Sequence, residues 1–365
     1  LAEVVTGKYY DQLVQELVFE PLQMRRSTFD RTVAMTYPLA LAHELDAGGR
    51  LRASHRFTDN VSGNPAGFGI SSTRDLANFA IIHLSQGQFQ GTTLLTPESV
   101  ALMHAAQTSR YIPGLESGYG LGWYTGHYKG VRQVSHGGML QSYNCLLMLF
   151  PDRELGVILQ SNYDDGSDMG DLIGTICSQL LDVPAARFQP AVIEPDRAEW
   201  PRYVGTYLSV HSGLATIAIV DDQLVLQLSG AALPLTAIEG GLYRSNGTSV
   251  GFVAEDAGPV RYLMIDGDPY GRFERDDSFV PDVDAWSDYP GEYAVWRIDP
   301  TPIKIRIADG RLYMQWWGDE VVCTPLSASS FVSSYGLIEF ETAGDGPPVL
   351  VSGKAARRYR GFVAW

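Results

Sequence analysis

VSHGGMLQSYNCLLMLFPDRELGVILQSN, residues 134–162, is the stretch that decides the fold of the first half of the chain. Apolar runs at residues 145–150 and 155–159 flank the turn sequence Pro-Asp-Arg-Glu, which predicts two adjacent antiparallel strands. The first strand opens with His136-Gly137-Gly138. Because glycine weakens a strand unless another backbone or a ligand comes close, the pattern predicts a substrate lying along the edge of this strand.

Length and composition bound the class of protein. With 365 residues the chain is long enough for two or three domains, each with its own core. Hydrophobic residues make up 45% and charged residues 19%, which is typical of a soluble globular protein. No apolar run approaches the roughly 20 residues that span a bilayer. The net charge of −15 argues against nucleic acid as a partner, because phosphate contacts need clustered Lys and Arg.

The cysteines and histidines predict neither a disulfide framework nor a metal or other cofactor. The three cysteines are scattered and form no CxxC pair. His43, His55, His83 and His104 lie far apart in the sequence, and the H-E-x-x-H pattern of zinc enzymes does not occur.

Four helices are predicted in the first half of the chain. Residues 9–19 carry an apolar stripe at helical spacing, and residues 170–181 are expected to form a closing helix that packs on the sheet. Ser72 and Asp75 form a capping box that starts a helix over Thr73–Leu84. Thr96 is the expected N-cap of the remaining helix, with a proline at its first position.

The second half of the chain reads as all-β. Prolines punctuate residues 186–202, which are expected to be a linker. Beyond them, short strands and turn residues alternate about every ten residues, which is typical of an antiparallel barrel or sandwich. Trp296, Tyr313, Trp316 and Trp317 are expected to fill or cover these barrels. Ligand binding inside a lipocalin-like barrel is the alternative.

An internal repeat divides this all-β half into two modules. Val204-Gly205-Thr206-Tyr207 recurs as Pro290-Gly291-Glu292-Tyr293, and Leu233-Pro234-Leu235 is aligned with Thr324-Pro325-Leu326. Each copy contains about eight candidate strands, enough to close a small barrel. The sequence therefore predicts antiparallel eight-stranded barrel modules over residues 203–276 and 289–365, joined by an acidic linker at residues 277–288.

Four segments of the first half resemble, in order, the serine β-lactamase-like hydrolases, which include class C β-lactamases, penicillin-binding proteins, D-aminopeptidases and related esterases. The resemblance implies that residues 1–185 are the C-terminal part of an α+β catalytic domain of β-lactamase/transpeptidase type, with an antiparallel sheet and helices. The matching segments are Thr6-Gly7-Lys8 with Glu20-Pro21-Leu22-Gln23-Met24, residues 64–76 (NPAGFGISSTRDL), Tyr119-Gly120-Leu121-Gly122-Trp123, and the His-x-Gly sequence at His136.

The family's nucleophile is missing from this sequence. The resemblance implies a serine in Ser-x-x-Lys and a tyrosine in Tyr-x-Asn, both N-terminal to the matching segments. Neither pattern occurs around any of the four lysines or nineteen tyrosines. We therefore expect this chain to be the C-terminal portion of a longer protein whose N-terminal catalytic segment is absent, and to be inactive alone.

The resemblance also implies roles for individual residues. His136 would orient the substrate beside the nucleophile, and Gly138 would leave room for the acyl group. The backbone N–H of Met139 would be a donor of the oxyanion hole. Further substrate contacts are expected from four residues, although Asn162 fits a turn role and Tyr119 and Trp123 fit the core equally well: Gly137, Asn162, Tyr119 and Trp123.

The expected function is that of a serine hydrolase acting on a small-molecule or peptide substrate through an acyl-enzyme. By resemblance, the paired barrels favour a D-aminopeptidase or amidase, with an esterase or β-lactamase as alternatives within the family. A catalytically inactive member that binds peptide or cell-wall fragments is the alternative outside enzymology. A homo-oligomer is compatible with all of these readings.

Overall fold

The computed structural model divides the chain into two compact units, Leu1–Ser109 with Gly114–Gln189, and Arg110–Pro113 with Pro190–Trp365. The backbone is described for all of the chain except residues 47, 55–62, 110, 112–117, 141, 164–168, 185–189, 255–257, 275, 277, 296–298, 317–319, 343–345, 353–356 and 361–365. Trp296 and Trp317 thus lie outside the described residues.

Two helices of the first unit begin where the sequence predicts. The Ser72 hydroxyl accepts a hydrogen bond from the Asp75 N–H at 3.2 Å, and the Thr96 hydroxyl accepts one from Ser99 at 3.2 Å. The predicted helix over residues 9–19 is α-helical at first and then continues as a π-helix, Gln15–Phe19. The α-helices are α1 (Ala2–Thr6), α2 (Tyr10–Val14), α3 (Arg31–Ala34), α4 (Thr73–Leu84), α5 (Pro97–Met103) and α6 (Met169–Leu181).

A six-stranded antiparallel sheet is the centre of the first unit, in the order β10-β9-β8-β7-β6-β5. Its strands are β5 (Thr108–Ser109), β6 (Gly118–Tyr119), β7 (Tyr124–Tyr128), β8 (Val131–Leu140), β9 (Tyr143–Phe150) and β10 (Leu155–Ser161). Two small hairpins accompany it, β1 (His43–Leu45) with β2 (Leu51–Ala53), and β3 (Gln88–Phe89) with β4 (Thr92–Thr93).

The deciding stretch forms three strands and not the two predicted from its apolar runs. His136 lies on β8, which ends at Leu140 and is joined to β9 by only two residues. That tight connection, Gln141-Ser142, contains neither glycine nor proline, so the sequence carries no strong turn signal there. The turn before β10 is a 3₁₀ segment, Pro151–Arg153, as the Pro-Asp-Arg-Glu sequence suggested.

Helices cover both faces of this sheet. One apolar cluster joins Ala80 of α4 to Val134 and Leu149 of the sheet. The other joins Ile173 of α6 to Phe150 and its neighbours on the opposite face. Burial on both faces explains the continuous apolar run at residues 145–150, because the side chains on either face of β9 are shielded from water.

The first module of the second unit is a nine-stranded antiparallel sheet, so the predicted count of eight is wrong there. The extra strand arises because one segment breaks after Pro234: β14 pairs with β13 before the break, and β15 pairs with β16 after it. The module begins with α7 (Trp200–Tyr203). Its strands are β11 (Gly205–Ser209), β12 (Gly213–Val220), β13 (Gln223–Leu228), β14 (Ala231–Pro234), β15 (Thr236–Ile238), β16 (Leu242–Ser245), β17 (Thr248–Ala254), β18 (Val260–Ile265) and β19 (Asp268–Phe273).

The second module closes into a barrel, which confirms the barrel character of the C-terminal region. A 3₁₀ segment, Asp284–Trp286, precedes it, at the place of α7 in the first module. Its strands are β20 (Gly291–Val295), β21 (Asp299–Ala308), β22 (Arg311–Gln315), β23 (Glu320–Pro325), β24 (Ser330–Ser333), β25 (Gly336–Glu341), β26 (Val349–Ser352) and β27 (Arg357–Arg360).

Strand register fixes how the two modules correspond. Leu233 pairs with Leu226 in the first module, and Val321 pairs with Met314 in the second. The corresponding positions are therefore about 88 residues apart, and Pro234 occupies the place of Val322. The sequence alignment of Pro234 with Pro325 is therefore wrong by three residues. It matched two prolines, whereas the strand pairings make Pro234 the equivalent of Val322.

A repeated tyrosine hydrogen bond supports this correspondence. The Tyr207 hydroxyl donates to the Tyr203 carbonyl at 2.7 Å, and the Tyr293 hydroxyl donates to the Tyr289 carbonyl at 2.7 Å. In each module the bond ties the first strand to the short helical segment that precedes it. The two modules therefore share the same tyrosine hydrogen bond at the start of the fold.

A buried tryptophan follows the same pattern with one difference. The Trp200 indole N–H donates to the Tyr243 hydroxyl at 3.2 Å. The corresponding pair in the second module is Trp286 and Phe331, whose rings are 5.0 Å apart. Phenylalanine has no hydroxyl, so the Trp286 indole N–H is buried without an acceptor among the described residues.

The two modules contact each other through a pair of glycines inside the second unit. The Leu337 N–H donates to the Val210 carbonyl at 3.1 Å. A Cβ on Gly336 (φ +94°) would lie 2.4 Å from that same carbonyl, and one on Gly213 (φ +87°) would lie 2.5 Å from the Ser333 carbonyl. Both positions need glycine for the backbone conformation and for the close approach.

Candidate functional site

In the part of the chain that the structure describes, strand β8 has a free edge over its last five residues. Its pairing with β7 ends at Ser135, opposite Tyr124, whereas its pairing with β9 continues to Leu140. Among the described residues, nothing pairs with residues 136–140 on the β7 side. The edge along which the sequence predicts a substrate is therefore unpaired beside His136 in the described part of the chain, and substrate binding there stays a prediction.

The backbone groups that face this edge follow from the alternation of an antiparallel ladder. Two-residue connections join β7 to β8 and β8 to β9, and each closes with a hydrogen-bonded pair. Counting from either end, Ser135 is the last residue bonded to β7. Gly137 and Met139 therefore direct their N–H and C=O groups to the free edge, and the Met139 side chain is 67% exposed.

Gly138 is not explained by the packing of this chain. A Cβ built there would have no described atom within 4 Å, and its φ does not lie in the left-handed region. At Gly137 a Cβ would approach Leu146 at 3.3 Å, a tight contact. Glycine inside a strand costs stability, and no contact with a described residue accounts for it at Gly138.

His136 lies in a small aromatic cluster at this edge. Its Nε2 is 3.1 Å from the Tyr119 hydroxyl, and its ring stacks on Tyr124 with centroids 5.3 Å apart. Tyr119 and Tyr124 pack edge to face at 4.9 Å. The imidazole is held in place while its exposed side remains accessible, which suits a group that orients a substrate. Tyr124 is a member of the cluster that the sequence did not indicate.

Asn162 has a structural role at the end of β10. Its side-chain amide donates to the Leu41 carbonyl at 2.8 Å and lies 3.1 Å from His43 Nδ1. The backbone carbonyl of Asn162 accepts a hydrogen bond from the backbone N–H of His43 at 2.8 Å. These bonds attach the strand that begins at His43 to the sheet, which agrees with the turn role that the sequence left open for Asn162.

Trp123 lies in the core, which is the alternative that the sequence left open beside a place in the pocket wall. It is 3% exposed and packs edge to face against His83 at 4.7 Å and His104 at 5.6 Å. The reason is that it directly precedes β7, where it joins the cluster beneath α4.

The two histidines beside Trp123 form a buried pair that sequence reasoning missed. His104 Nε2 is 3.2 Å from His83 Nδ1. Burial, together with the neighbouring His104, lowers the pKa of His83 to about 4. Burial and the charge of Arg132 lower the pKa of His104 to about 4. The pair is neutral near pH 7 and packs as an aromatic core element.

A serine, lysine and tyrosine also meet in the first unit, but their burial argues for a structural role. Lys129 Nζ donates to Ser178 Oγ at 2.9 Å and to the Pro184 carbonyl, and the Tyr128 hydroxyl is 2.8 Å from Ser178 Oγ. Ser178 is 3% exposed, which leaves no approach for a substrate. The cation instead lies at the C-terminal end of α6, where it is favourable.

The described residues contain neither a metal-ligand cluster nor a membrane-spanning helix. Within that part of the chain, no three side chains of His, Cys, Asp or Glu come together as a metal site would require. The helices that the structure describes are also too short or too polar to cross a bilayer.

Three comparisons place these features among known proteins. A family model described as Beta-lactamase matches residues 1–175. Protein flp of Staphylococcus aureus (strain MW2) is 23% identical over 158 residues, which is 43% of this chain and 30% of that protein. The crystal structure of SurE is 23% identical with a TM-score of 0.55, and covers 74% of this chain and 64% of SurE.

A second structure, SurE with D-Leu, matches with a TM-score of 0.54 at 22% identity and the same coverage. At these identities the likeness to SurE shows a shared fold. The chain spans about a third of the curated relative that it matches and just under two thirds of SurE.

Proposed function

We propose that this chain supplies one wall of the active site of a serine hydrolase of the β-lactamase-like family, because the Beta-lactamase family model matches residues 1–175. The serine would come from a Ser-x-x-Lys segment outside these 365 residues. Its oxygen would attack the carbonyl carbon of an amide or ester, expel the amine or alcohol, and leave an acyl-enzyme that water hydrolyses.

The free edge of β8 next to an open Gly138 is the observation that carries this proposal. A substrate backbone would add to the edge by pairing with the main-chain groups of Gly137 and Met139. Gly138 would leave room for the acyl group. The Met139 N–H would then donate to the oxygen that becomes negative in the transition state.

His136 would hold the substrate beside the nucleophile. Its contacts with Tyr119 and Tyr124 fix the ring, so its free side would meet the substrate in one orientation. The phenol of Tyr119 would be a positioning group for the imidazole. Trp123 and Asn162 have no part in this proposal, because both are committed to the structure of the domain.

Within this class, a peptidase or amidase for D-amino-acid substrates is the specific activity that we favour. Its support is the pair of β-modules after the family domain and the likeness in fold to SurE, which has been solved with D-Leu. An esterase and a β-lactamase share the same chemistry and differ in the acyl and leaving groups.

The test is a kinetic comparison in a protein that joins this sequence to a segment with Ser-x-x-Lys. His136→Ala should lower kcat/KM on D-amino-acid amides at least about tenfold, equal to some 1.4 kcal/mol. Tyr119→Phe should cause a smaller loss, because it removes only the hydroxyl that contacts the ring. An unchanged kcat/KM for His136→Ala would remove this residue from the site.

Gly138→Val tests the free edge itself. Because the space beside Gly138 is open, the midpoint of unfolding should not fall, while hydrolysis should fall at least about a hundredfold through steric exclusion of the acyl group. The matched control is Gly271→Val, a strand glycine of the first module whose nearest described atoms would be 3.9 Å from the new Cβ. If the protein captured no serine-directed acylating probe, a binding role without hydrolysis would replace the proposal.

A further inference from the structure

A row of three residues crosses the sheet of the first unit next to the free edge of β8. Gly138 pairs with Cys145, and Cys145 in turn pairs with Gln160. Residues that pair across an antiparallel ladder project from the same face of the sheet. This face is the one under α4, because Leu147 and Leu149, at alternate positions after Cys145, pack against that helix. The row therefore leads from the open space at Gly138 to Gln160.

The first two members of the row are small. A Cβ at Gly138 would have no described atom within 4 Å, and Cys145 is partly exposed. Burial raises the pKa of the Cys145 thiol, so this group is neutral near pH 7. A glycine followed by a cysteine makes a low floor, and it leaves room for a substituent that extends from the free edge across β9.

Gln160 ends the row with an oriented amide. The Thr73 hydroxyl at the start of α4 donates to Gln160 Oε1 at 2.6 Å, and this bond fixes which end of the amide is the oxygen. The side chain is exposed, and its Nε2 has no hydrogen bond to a described residue. A carbonyl oxygen has two lone pairs and an amide nitrogen has two hydrogens. Gln160 thus offers an acceptor and a donor side by side.

The rows on either side offer no comparable group. On one side lie Leu147 and Ile158, which pair with each other and are apolar. On the other side the Tyr143 hydroxyl already donates to the Ala40 carbonyl at 2.8 Å. Of the three rows, in the part of the chain that the structure describes, the middle one alone ends in an amide with unused hydrogen-bonding groups, that of Gln160.

The distance suits a substrate side chain of moderate length. Neighbouring strands lie about 4.8 Å apart, so about 10 Å separates the main chain at Gly138 from that at Gln160. A side chain that enters over Gly138 and the Gln160 side chain that reaches towards it are long enough to meet between the two ends. A short side chain such as that of alanine would not reach the amide.

We infer that Gln160 selects the acyl group of the substrate, and that the preferred acyl side chain ends in a carboxamide, as glutamine does. This inference rests on the proposed hydrolase and names the substrate class of the same site. A carboxamide would accept from Gln160 Nε2 and donate to Gln160 Oε1, so the two amides would pair reciprocally. A carboxylate of the same length accepts but cannot donate, and a thioether leaves both groups of Gln160 unpaired.

A series of substrates with one leaving group tests this preference in the protein that joins this sequence to a segment with Ser-x-x-Lys. The substrates are p-nitroanilides of D-glutamine, D-glutamate, D-methionine, D-ornithine and D-alanine. The kcat/KM of the glutamine anilide should exceed that of the methionine anilide, which has a similar length and no amide, at least about tenfold. The glutamate anilide should fall below the glutamine anilide by at least about tenfold as well.

Gln160→Glu replaces the amide by a carboxylate of the same size and should move the preference to a cation. The ratio of ornithine to glutamine hydrolysis should rise at least about a hundredfold over the parent, because an ammonium pairs with the new carboxylate. The matched control is Gln227→Glu, which adds the same charge at an exposed strand position of the first module. It should leave every ratio unchanged.

Cys145→Val tests the floor of the row and decides the matter if Gln160→Glu does not fold. The added methyl groups should lower the ratio of glutamine to alanine hydrolysis at least severalfold, because only the longer side chain crosses β9. An unchanged ratio in this variant would overturn the inference. So would unchanged ratios in folded Gln160→Glu, or a parent that hydrolyses the methionine anilide as fast as the glutamine anilide.

A serine-directed acylating probe separates these results from a failure of the hydrolase itself. Capture of the probe together with unchanged ratios would overturn the role of Gln160 and leave the hydrolase standing. Capture without turnover of any of the anilides would overturn the D-amino-acid substrate class, and this inference with it. Absence of capture would overturn the proposed hydrolase and everything that rests on it.

Discussion

The buried tryptophans of the two modules allow one interaction to be removed in one copy and added in the other. Trp200 has a hydroxyl acceptor from Tyr243, whereas Trp286 faces Phe331 and has none in the described part of the chain. Tyr243→Phe should copy the second arrangement into the first module. Phe331→Tyr should copy the first arrangement into the second module.

The expected magnitudes follow from what each change does to an indole N–H. Tyr243→Phe leaves the Trp200 N–H buried without an acceptor, which costs about 1–3 kcal/mol. Phe331→Tyr supplies an acceptor to Trp286 and should stabilise the second module by about 0.5–1.5 kcal/mol. For a module of this size, each kcal/mol corresponds to roughly 4–8 °C in Tm.

Chemical denaturation of the full chain, followed by tryptophan fluorescence and circular dichroism, measures both changes. The indole N–H signals of Trp200 and Trp286 in NMR give a residue-specific check. Exchange with solvent should become faster for Trp200 in Tyr243→Phe and slower for Trp286 in Phe331→Tyr. The double variant should show additive effects, because the two sites lie in different modules.

The reasoning fails if Phe331→Tyr lowers the stability of the second module while the Trp286 N–H still exchanges as in the parent. That outcome would mean that the added hydroxyl points away from the indole or cannot be packed. A stability of Tyr243→Phe equal to that of the parent would show that the bond to Trp200 contributes nothing measurable.

Three further predictions concern the two units. Burial lowers the pKa of both His83 and His104 to about 4, so the unfolded chain binds more protons between pH 6.5 and pH 4. The stability of the first unit should be full above pH 6.5 and fall by a few kcal/mol for the pair as the pH approaches 4, measured by urea unfolding at several pH values, and His104→Gln should flatten this slope. Lys129→Met should destabilise the first unit by about 1 kcal/mol through loss of the contacts at the end of α6, with an equal urea midpoint as the contrary result. Gly336→Ala should separate the two modules, because the new methyl group would overlap the Val210 carbonyl; the assay is limited proteolysis of the loop at residues 210–213, and unchanged cleavage would count against it.

Features that depend on adjacent residues could be predicted from the sequence. The starts of α4 and α5 were predicted to the residue, because a cap is a bond between side chain and backbone three positions apart. The barrel character of the second half was also predictable, since strand and turn residues alternate regularly. The nine strands of the first module were not, because the break after Pro234 interrupts a segment that otherwise continues.

Features that depend on distant residues could not be predicted. The buried pair of His83 and His104 joins residues from α4 and the end of α5, and no motif marks it. Trp123 and Tyr119 lie in the same YGLGW segment, yet one is core and the other contacts His136. Which side of the sheet each ring reaches is decided by pairing and not by composition. The roles of His136, Gly138 and Met139 stay predictions.

The free edge of β8 has a consequence for the molecule in solution. Unpaired N–H and C=O groups that accept a substrate also accept the edge of any other chain, and the sequence at residues 136–140 has no acidic residue, lysine or proline to discourage this. Concentrated samples should therefore show weak, reversible self-association through this strand. Because β8 pairs with β7 up to Ser135, only the main-chain groups of Gly137 and Met139 are available for such pairing. Self-association through two residues should be weak, and a substrate should displace it easily.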